Sequence, residues 1–289
     1  MKRFLALLTA LTLSATLTAC GGATDPTATP STPADDLAYV KEKGTLVVGI
    51  TNFAPMDYKE AGNDEWIGFD ADMARAFAEE LGVDVEFTEI TWGYKVMELD
   101  ARNIDCVWNG MTVNDEVRAA MSTSTPYCKN AQVLVVPADK AEEMSARENL
   151  EGLSVAVEDG SAGEDAAAAL GAALLPVTAQ SDTLMEVSAG SADAAVIDLL
   201  MAGAMLGENS SYKNLTYTLN LNELQGLPSE EYAVGFRTGS TLTEAFNTFW
   251  AEQVESGAAM EVATRYGLQE SIIQYHYIIT QRGSHVFYH

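Results

Sequence analysis

Short apolar runs alternate with stretches of helical periodicity along most of the chain. Leu46-Val47-Val48-Gly49-Ile50 is an unbroken apolar run of strand length, the pattern of a strand covered on both faces. Phe69, Met73, Phe77 and Leu81 recur every four residues, which marks one face of a helix that Gly82 is placed to cap. Val83, Val85 and Phe87 alternate as a second strand, 92–101 carries helical spacing, and 104–108 is strand-like again. This β-α-β-α rhythm predicts a sheet with helices on its faces. It restarts after Pro137 with strands over 153–157, at Val177 and over 194–197, interleaved with helices over 161–174, 182–189 and 199–206. A strand over 232–236 and helices over 242–254 and 260–266 complete the chain. Two similar units meeting near 131–137 predict a two-lobed body, and junctions of this kind are where small ligands bind.

The chain has 289 residues, 47% of them apolar, enough for one large or two ordinary domains with a substantial core. Forty-two acids against sixteen bases leave a net charge of −26, a surface that repels phosphate backbones and excludes nucleic acid as a partner. The global sign does not fix the sign of a ligand, because a pocket can oppose the field around it. Three cysteines are too few for a disulfide-dense scaffold. The three histidines, His276, His285 and His289, all fall in the last fourteen residues, and no metal site or other cofactor is expected.

Lys2 and Arg3 precede a mostly apolar run, 4–18, that ends in Leu17-Thr18-Ala19-Cys20. Roughly fifteen residues are too few to span a bilayer comfortably. A small residue directly before cysteine, with leucine three before it, resembles the bacterial lipoprotein signal. That resemblance implies a signal peptide over 1–19 and lipidation of Cys20. An ordinary secretory signal that happens to contain a cysteine is the alternative. Loss of 1–19 removes two bases and no acid, taking the charge from −26 to −28. The Gly/Thr/Pro/Ser-rich stretch that follows cannot bury enough surface to offset its ordering entropy, so 20–36 is expected to be the lipidated cysteine and a flexible tether.

Several motifs in order carry a second resemblance. They are Asn52-Phe53-Ala54-Pro55-Met56 after the first strand, Trp66-Ile67-Gly68-Phe69-Asp70-Ala71-Asp72-Met73, Thr91-Trp92, Asn103-Ile104-Asp105 and Asn109-Gly110-Met111-Thr112 with Thr125-Pro126-Tyr127. Val157-Glu158-Asp159-Gly160-Ser161 and Ala195-Val196-Ile197-Asp198 follow. Over about 38–275 the chain resembles the family 3 extracellular solute-binding proteins, the amino-acid-binding proteins of bacterial ABC importers. The resemblance implies an α/β, periplasmic-binding-protein-like type II fold: two lobes joined by two hinge strands, with an interlobe cleft that closes on its ligand. Lobe 1 would comprise 37–131 and 234–275, lobe 2 would comprise 132–233, and 276–289 would be an atypical C-terminal tail. The implied function is capture of an amino acid or similar small polar solute by hinge closure and its delivery to an ABC permease. The protein would then be extracytoplasmic, lipid-anchored to the cell membrane and monomeric. An enzyme of the same fold, resembling dehydratases of cyclic amino acids, and a ligand-presenting sensory protein are the alternatives. No Ser-His-Asp set supports the enzyme.

An amino acid leaving water sets physical requirements. Its ammonium needs a buried carboxylate, and Asp198 at a strand end matches the family's ammonium-binding aspartate; N-capping of the next helix is its other role. Its carboxylate needs donors. Ser161, Ala162 and Gly163 open a helix whose N–H groups bind anions, unless Ser161 only caps it. Asn109, Gly110 and Thr112 match a second set of family positions. The family's clamping arginine falls eight residues after Asn109, where this chain has Val117 followed by Arg118. One residue rotates a helical side chain by about 100°. Either Arg118 reaches from a shifted turn, or neutral donors suffice, or the ligand lacks a carboxylate. Phe53 and Trp92 match the family's aromatic sandwich, with core packing as the alternative, and Trp108 stands open between the two roles. Asp57 reads as an exposed acid, with recognition of a basic side chain as its alternative. Cys106 and Cys128 fall at a strand end and at the start of a hinge crossing, and outside the cytosol an available pair oxidises. A disulfide contributing roughly 3 kcal/mol is expected, with two buried thiols as the alternative.

Overall fold

The computed structural model describes residues 35–274 and the backbone of 276–280 and 283–287; the expected signal peptide, lipidation site and most of the tether lie outside these residues. Parallel strands β1 (Thr45–Ile50) and β2 (Asp84–Glu89) pair from Thr45 opposite Asp84 to Ile50 opposite Glu89. Parallel neighbours need a crossover, supplied by the helix Phe69–Leu81, which buries Phe69, Met73, Ala74 and Phe77. Gly82 ends that helix in the left-handed conformation, and its N–H is donated to the Ala78 and Glu79 carbonyls. Strands β3 (Cys106–Val107) and β4 (Ser122–Thr123) complete the outgoing part of the first sheet.

Strand β5 (Cys128–Asn130) then leads into β6 (Gln132–Pro137), β7 (Ser154–Glu158), β8 (Ala173–Val177), β9 (Ala194–Asp198) and β10 (Leu215–Asn220). The chain returns through β11 (Glu230–Tyr232) to β12 (Gly235–Phe236). The first sheet runs β2-β1-β3-β12-β4 and the second β10-β6-β9-β7-β8. Between them, β5 and β11 form a separate antiparallel ribbon, Cys128 opposite Tyr232 and Asn130 opposite Glu230. Two crossings therefore join two sheets, as the type II fold requires. In the tail, β13 (His276–Thr280) pairs antiparallel with β14 (Gly283–Phe287).

The returning helices Leu242–Ser256 and Ala258–Arg265 close the first lobe's core. Phe77 lies 5.1 Å from Phe249 and 5.5 Å from Phe246, and Trp108 stands edge-on to Phe246 at 4.9 Å. Trp108 is thereby a core residue, since its ring is spent on aromatic packing. Asp35 and Asp36, expected to belong to the tether, are part of the folded domain. Asp35 caps a helix over Asp36–Lys43, and buried Asp36 pairs with Arg237 at 2.9 Å. Arg237 also donates to the carbonyls of Leu99 and Ile104 at 3.0 and 2.7 Å, tying the start of the domain to its return strand.

Three expectations are corrected. The helix predicted over 161–174 stops at Ala169, Gly171 turns with φ +81°, and the residues that follow form β8. Asp57 is wholly buried, because the bridge pairing it with Phe53 folds it beneath the chain beside Asp70. Cys106 and Cys128 are free buried thiols. Cys106 faces Phe236 from β3, whereas Cys128 faces Tyr232 from the β4–β5 side. Four residues of extended chain separate those partners by about 13 Å, and a disulfide requires a Cα separation of roughly 4–7 Å. Burial pushes the Cys106 thiol well above its ordinary range, and Cys128 likewise. Alkylation of the denatured protein without reductant is therefore expected to label both; a mass-mapped Cys106–Cys128 peptide pair is the contrary result.

Candidate functional site

The C-terminal ends of β1, β3, β7 and β9 converge on one cavity of about 210 Å³ between the two sheets, the place where open α/β sheets bind ligands. Phe53, Trp92, Asn109, Gly110, Thr112, Ser161, Ala162 and Asp198 all line it. Arg118 does not. It is exposed on the short helix Asp115–Ala120, and its neighbour Val117 takes the place in the wall. The rotation of one residue decides the matter, and Arg118 instead borders a groove with Asn222, Leu227 and Glu231.

Asp198 ends the buried strand β9 and is 5% exposed. Its side chain makes no capping bond to the helix Leu199–Met205. Oδ1 accepts from Tyr232 Oη at 2.6 Å, Gln132 Nε2 at 3.1 Å and the Asn130 amide, and Oδ2 accepts from Gln180 Nε2 at 2.7 Å. Two crossing-strand residues, Asn130 and Tyr232, and two residues of the second lobe, Gln132 and Gln180, therefore aim the carboxylate. Its pKa is pushed up by burial and by Glu230, against the pull of those hydrogen bonds. Glu158, at the end of β7, is pushed up to about 8, chiefly by burial and then by Asp198.

The donors are largely engaged. Gly110, at φ +56°, gives its N–H to Asp70 Oδ2 at 2.7 Å, and a side chain there would collide with the Phe53 ring. Thr112 donates its hydroxyl to Glu230 Oε2 at 2.9 Å. Asn109 Nδ2 donates to Thr51 Oγ1 at 2.7 Å. Ser161 caps the helix Ala162–Ala169 by accepting the Glu164 N–H at 3.1 Å, while Gly160 N–H is donated to Glu164 Oε2 at 2.8 Å.

Sequence reasoning missed Lys95, Glu116, Glu158, Gln180 and Glu230 as site residues. Lys95, in the helix Lys95–Asp100, donates across the cleft to the Gly160 carbonyl at 2.9 Å, with its ammonium 4.8 Å from the Trp92 ring centre. Burial lowers its pKa, opposed by Glu116, Glu158, Asp165 and Asp159. Here the lobes touch: a Cβ on Gly160 would lie 2.8 Å from Gly93 Cα. Glu158 had a visible signal, an acid ending an apolar strand just before Gly160-Ser161. Glu230 had none, since its partner Thr112 is 118 residues away. Among the described residues, no cluster of three or more His, Cys, Asp or Glu is arranged to hold a metal ion.

Two sheets, two crossings and a polar cavity at the strand ends define a hinged binding protein. Residues 46–269 match the bacterial extracellular solute-binding proteins, family 3, and the chain belongs to that family. It is 26% identical to the arginine-binding extracellular protein ArtP of Bacillus subtilis over 89% of this chain and 94% of the relative. Identity to a probable histidine-binding protein of Neisseria gonorrhoeae is 27%, over 93% and 97%. The P235GK mutant of ArgBP from T. maritima superposes with a TM-score of 0.72 at 28% identity, covering 80% of this chain and 99% of its own. An ancestral amino-acid-binding protein, AncCDT-1, a precursor of cyclohexadienyl dehydratase, gives 0.71 at 26%, covering 80% and 98%. This is a family of solute-binding proteins, not of enzymes.

Proposed function

We propose that the protein captures a small solute carrying an amine, an amino acid or a close analogue, and delivers it to an ABC permease. Asp198 carries this reading: it is a buried acceptor held in the cavity wall by four donors, a built partner for an ammonium leaving water. Relatives named for arginine and histidine support it. Closure between lobe 1 (37–131 and 234–275) and lobe 2 (132–233) about β5 and β11 would trap the solute, because each lobe contributes lining residues and binding favours the shut form. Export by a signal peptide over 1–19 and anchoring through lipidated Cys20 complete the proposal, which the composition of the N-terminus supports.

Thermal unfolding against the twenty amino acids and their amine analogues tests it. A true solute at one hundred times its Kd adds about 2.7 kcal/mol of stability, and the compound is expected back unchanged. Consumption of the compound would overturn the proposal in favour of an enzyme, and a panel with no stabilising member would overturn it outright.

A further inference from the structure

We propose that the cleft selects a cation with ammonium or guanidinium groups at both ends and no carboxylate, such as a linear diamine or a guanidino amine. This rests on the binding-protein reading above and specifies its solute. Five carboxylates line the cavity, those of Glu116, Glu158, Glu164, Asp165 and Asp198, against the single ammonium of Lys95. They lie at two depths. Asp198 and Glu158 are 5% and 4% exposed, whereas Glu116 and Asp165 stand exposed at the mouth. Each depth can take one cationic group, and the faces of Phe53 and Trp92 suit a methylene chain or a guanidinium plane in the same cavity.

A ligand carboxylate finds little to hold it. No arginine lines the cavity. The N–H of Gly110 and the hydroxyl of Thr112 are given to the protein's own carboxylates, and the amides of Asn109 and Gln180 each give one N–H to a protein oxygen. Lys95 turns one of its three N–H donors to the Gly160 carbonyl, which holds its ammonium at the contact between the lobes. The N-terminus of the helix Ala162–Ala169 carries Glu164 and Asp165 in its first turn, so an anion there would meet two like charges. Removal of the carboxylate from a basic amino acid thus removes repulsion and loses little attraction.

Titration calorimetry of the full chain, dialysed free of solute, with matched pairs isolates that one group: cadaverine against lysine, and agmatine against arginine. In each pair the amine is expected to bind at least tenfold tighter. Equal or tighter binding of the amino acid would overturn the proposal. Failure of all four compounds alongside stabilisation by a neutral amino acid would overturn it too, while leaving the binding-protein reading intact; failure of every compound overturns both. In Val117→Arg, which supplies a guanidinium at the wall, the cadaverine-to-lysine affinity ratio is expected to fall at least tenfold. The double variant Glu116→Gln/Asp165→Asn alters only exposed side chains and is expected to weaken cadaverine at least tenfold. Wild-type cadaverine affinity in that variant would sink the two-ended site.

Discussion

Asp198→Asn is expected to lower affinity for an amine solute by two to three powers of ten while the protein remains folded. Breaking a buried pair by neutralising one partner costs about 3–5 kcal/mol, and each 1.4 kcal/mol is a factor of ten in Kd. Asparagine keeps the shape and can still accept from Tyr232 or Gln132, but its amide would point N–H groups at Gln180 Nε2, which now donates to Oδ2. Some destabilisation therefore accompanies the loss, because a buried donor left without an acceptor costs about 1–3 kcal/mol. Calorimetry paired with a melting curve separates the two effects. Retained affinity in a folded variant would remove Asp198 from the site.

The second large effect is a pH dependence in which affinity and stability move in opposite directions. Glu158 holds its proton up to about pH 8, and Asp198 is raised for the same reason, burial beside another acid. A cationic solute prefers the ionised forms, so its binding expels protons. Affinity is expected to rise by up to roughly tenfold per pH unit between pH 6 and 8 for each carboxylate that must ionise. The free protein behaves the other way. Its native state retains protons that the unfolded chain releases near the ordinary glutamate value of 4.5, so these groups make unfolding easier as pH climbs from there towards 8. Melting temperatures across that range, and calorimetry in buffers of different ionisation enthalpy, read both trends. An affinity that falls with rising pH would exclude these acids from the cation site.

Some of this was legible in the residues and some was not, for physical reasons. The four-residue spacing from Phe69 to Leu81 gave its helix and cap correctly, because one strong face and a terminal glycine admit no other period. The alanine-rich run after Ser161 was read too long. Small apolar residues fit a helix or a strand equally, and only the turn at Gly171 separates the two. Cys128-Lys129-Asn130 and Glu230-Glu231-Tyr232 are too short to carry any periodicity, although they are the crossings on which closure depends.

In the site, Asp198 was singled out by its match to a family position and Ser161 by its place at a helix start; both line the cavity, and Ser161 also caps its helix. Arg118, counted among the candidate ligand contacts, stands outside the cavity, because one residue of helical rotation gives its place in the wall to Val117. The hydrogen bonds of Glu230 to Thr112, Asn130 and Gln132 span about a hundred residues or more. No local pattern encodes such a network. Gly110 shows the converse: its motif was visible, but its N–H serves Asp70 within the scaffold.

The contact between Gly93 and Gly160 is made without side chains. The bite of the two jaws is limited there by main chain, independently of the groups that recognise the cargo. Descendants of this protein can thus exchange wall residues such as Val117 or Glu116 and change diet without refitting the mechanical stop, whereas a single methyl group at position 160 would prop the jaws open for every cargo alike.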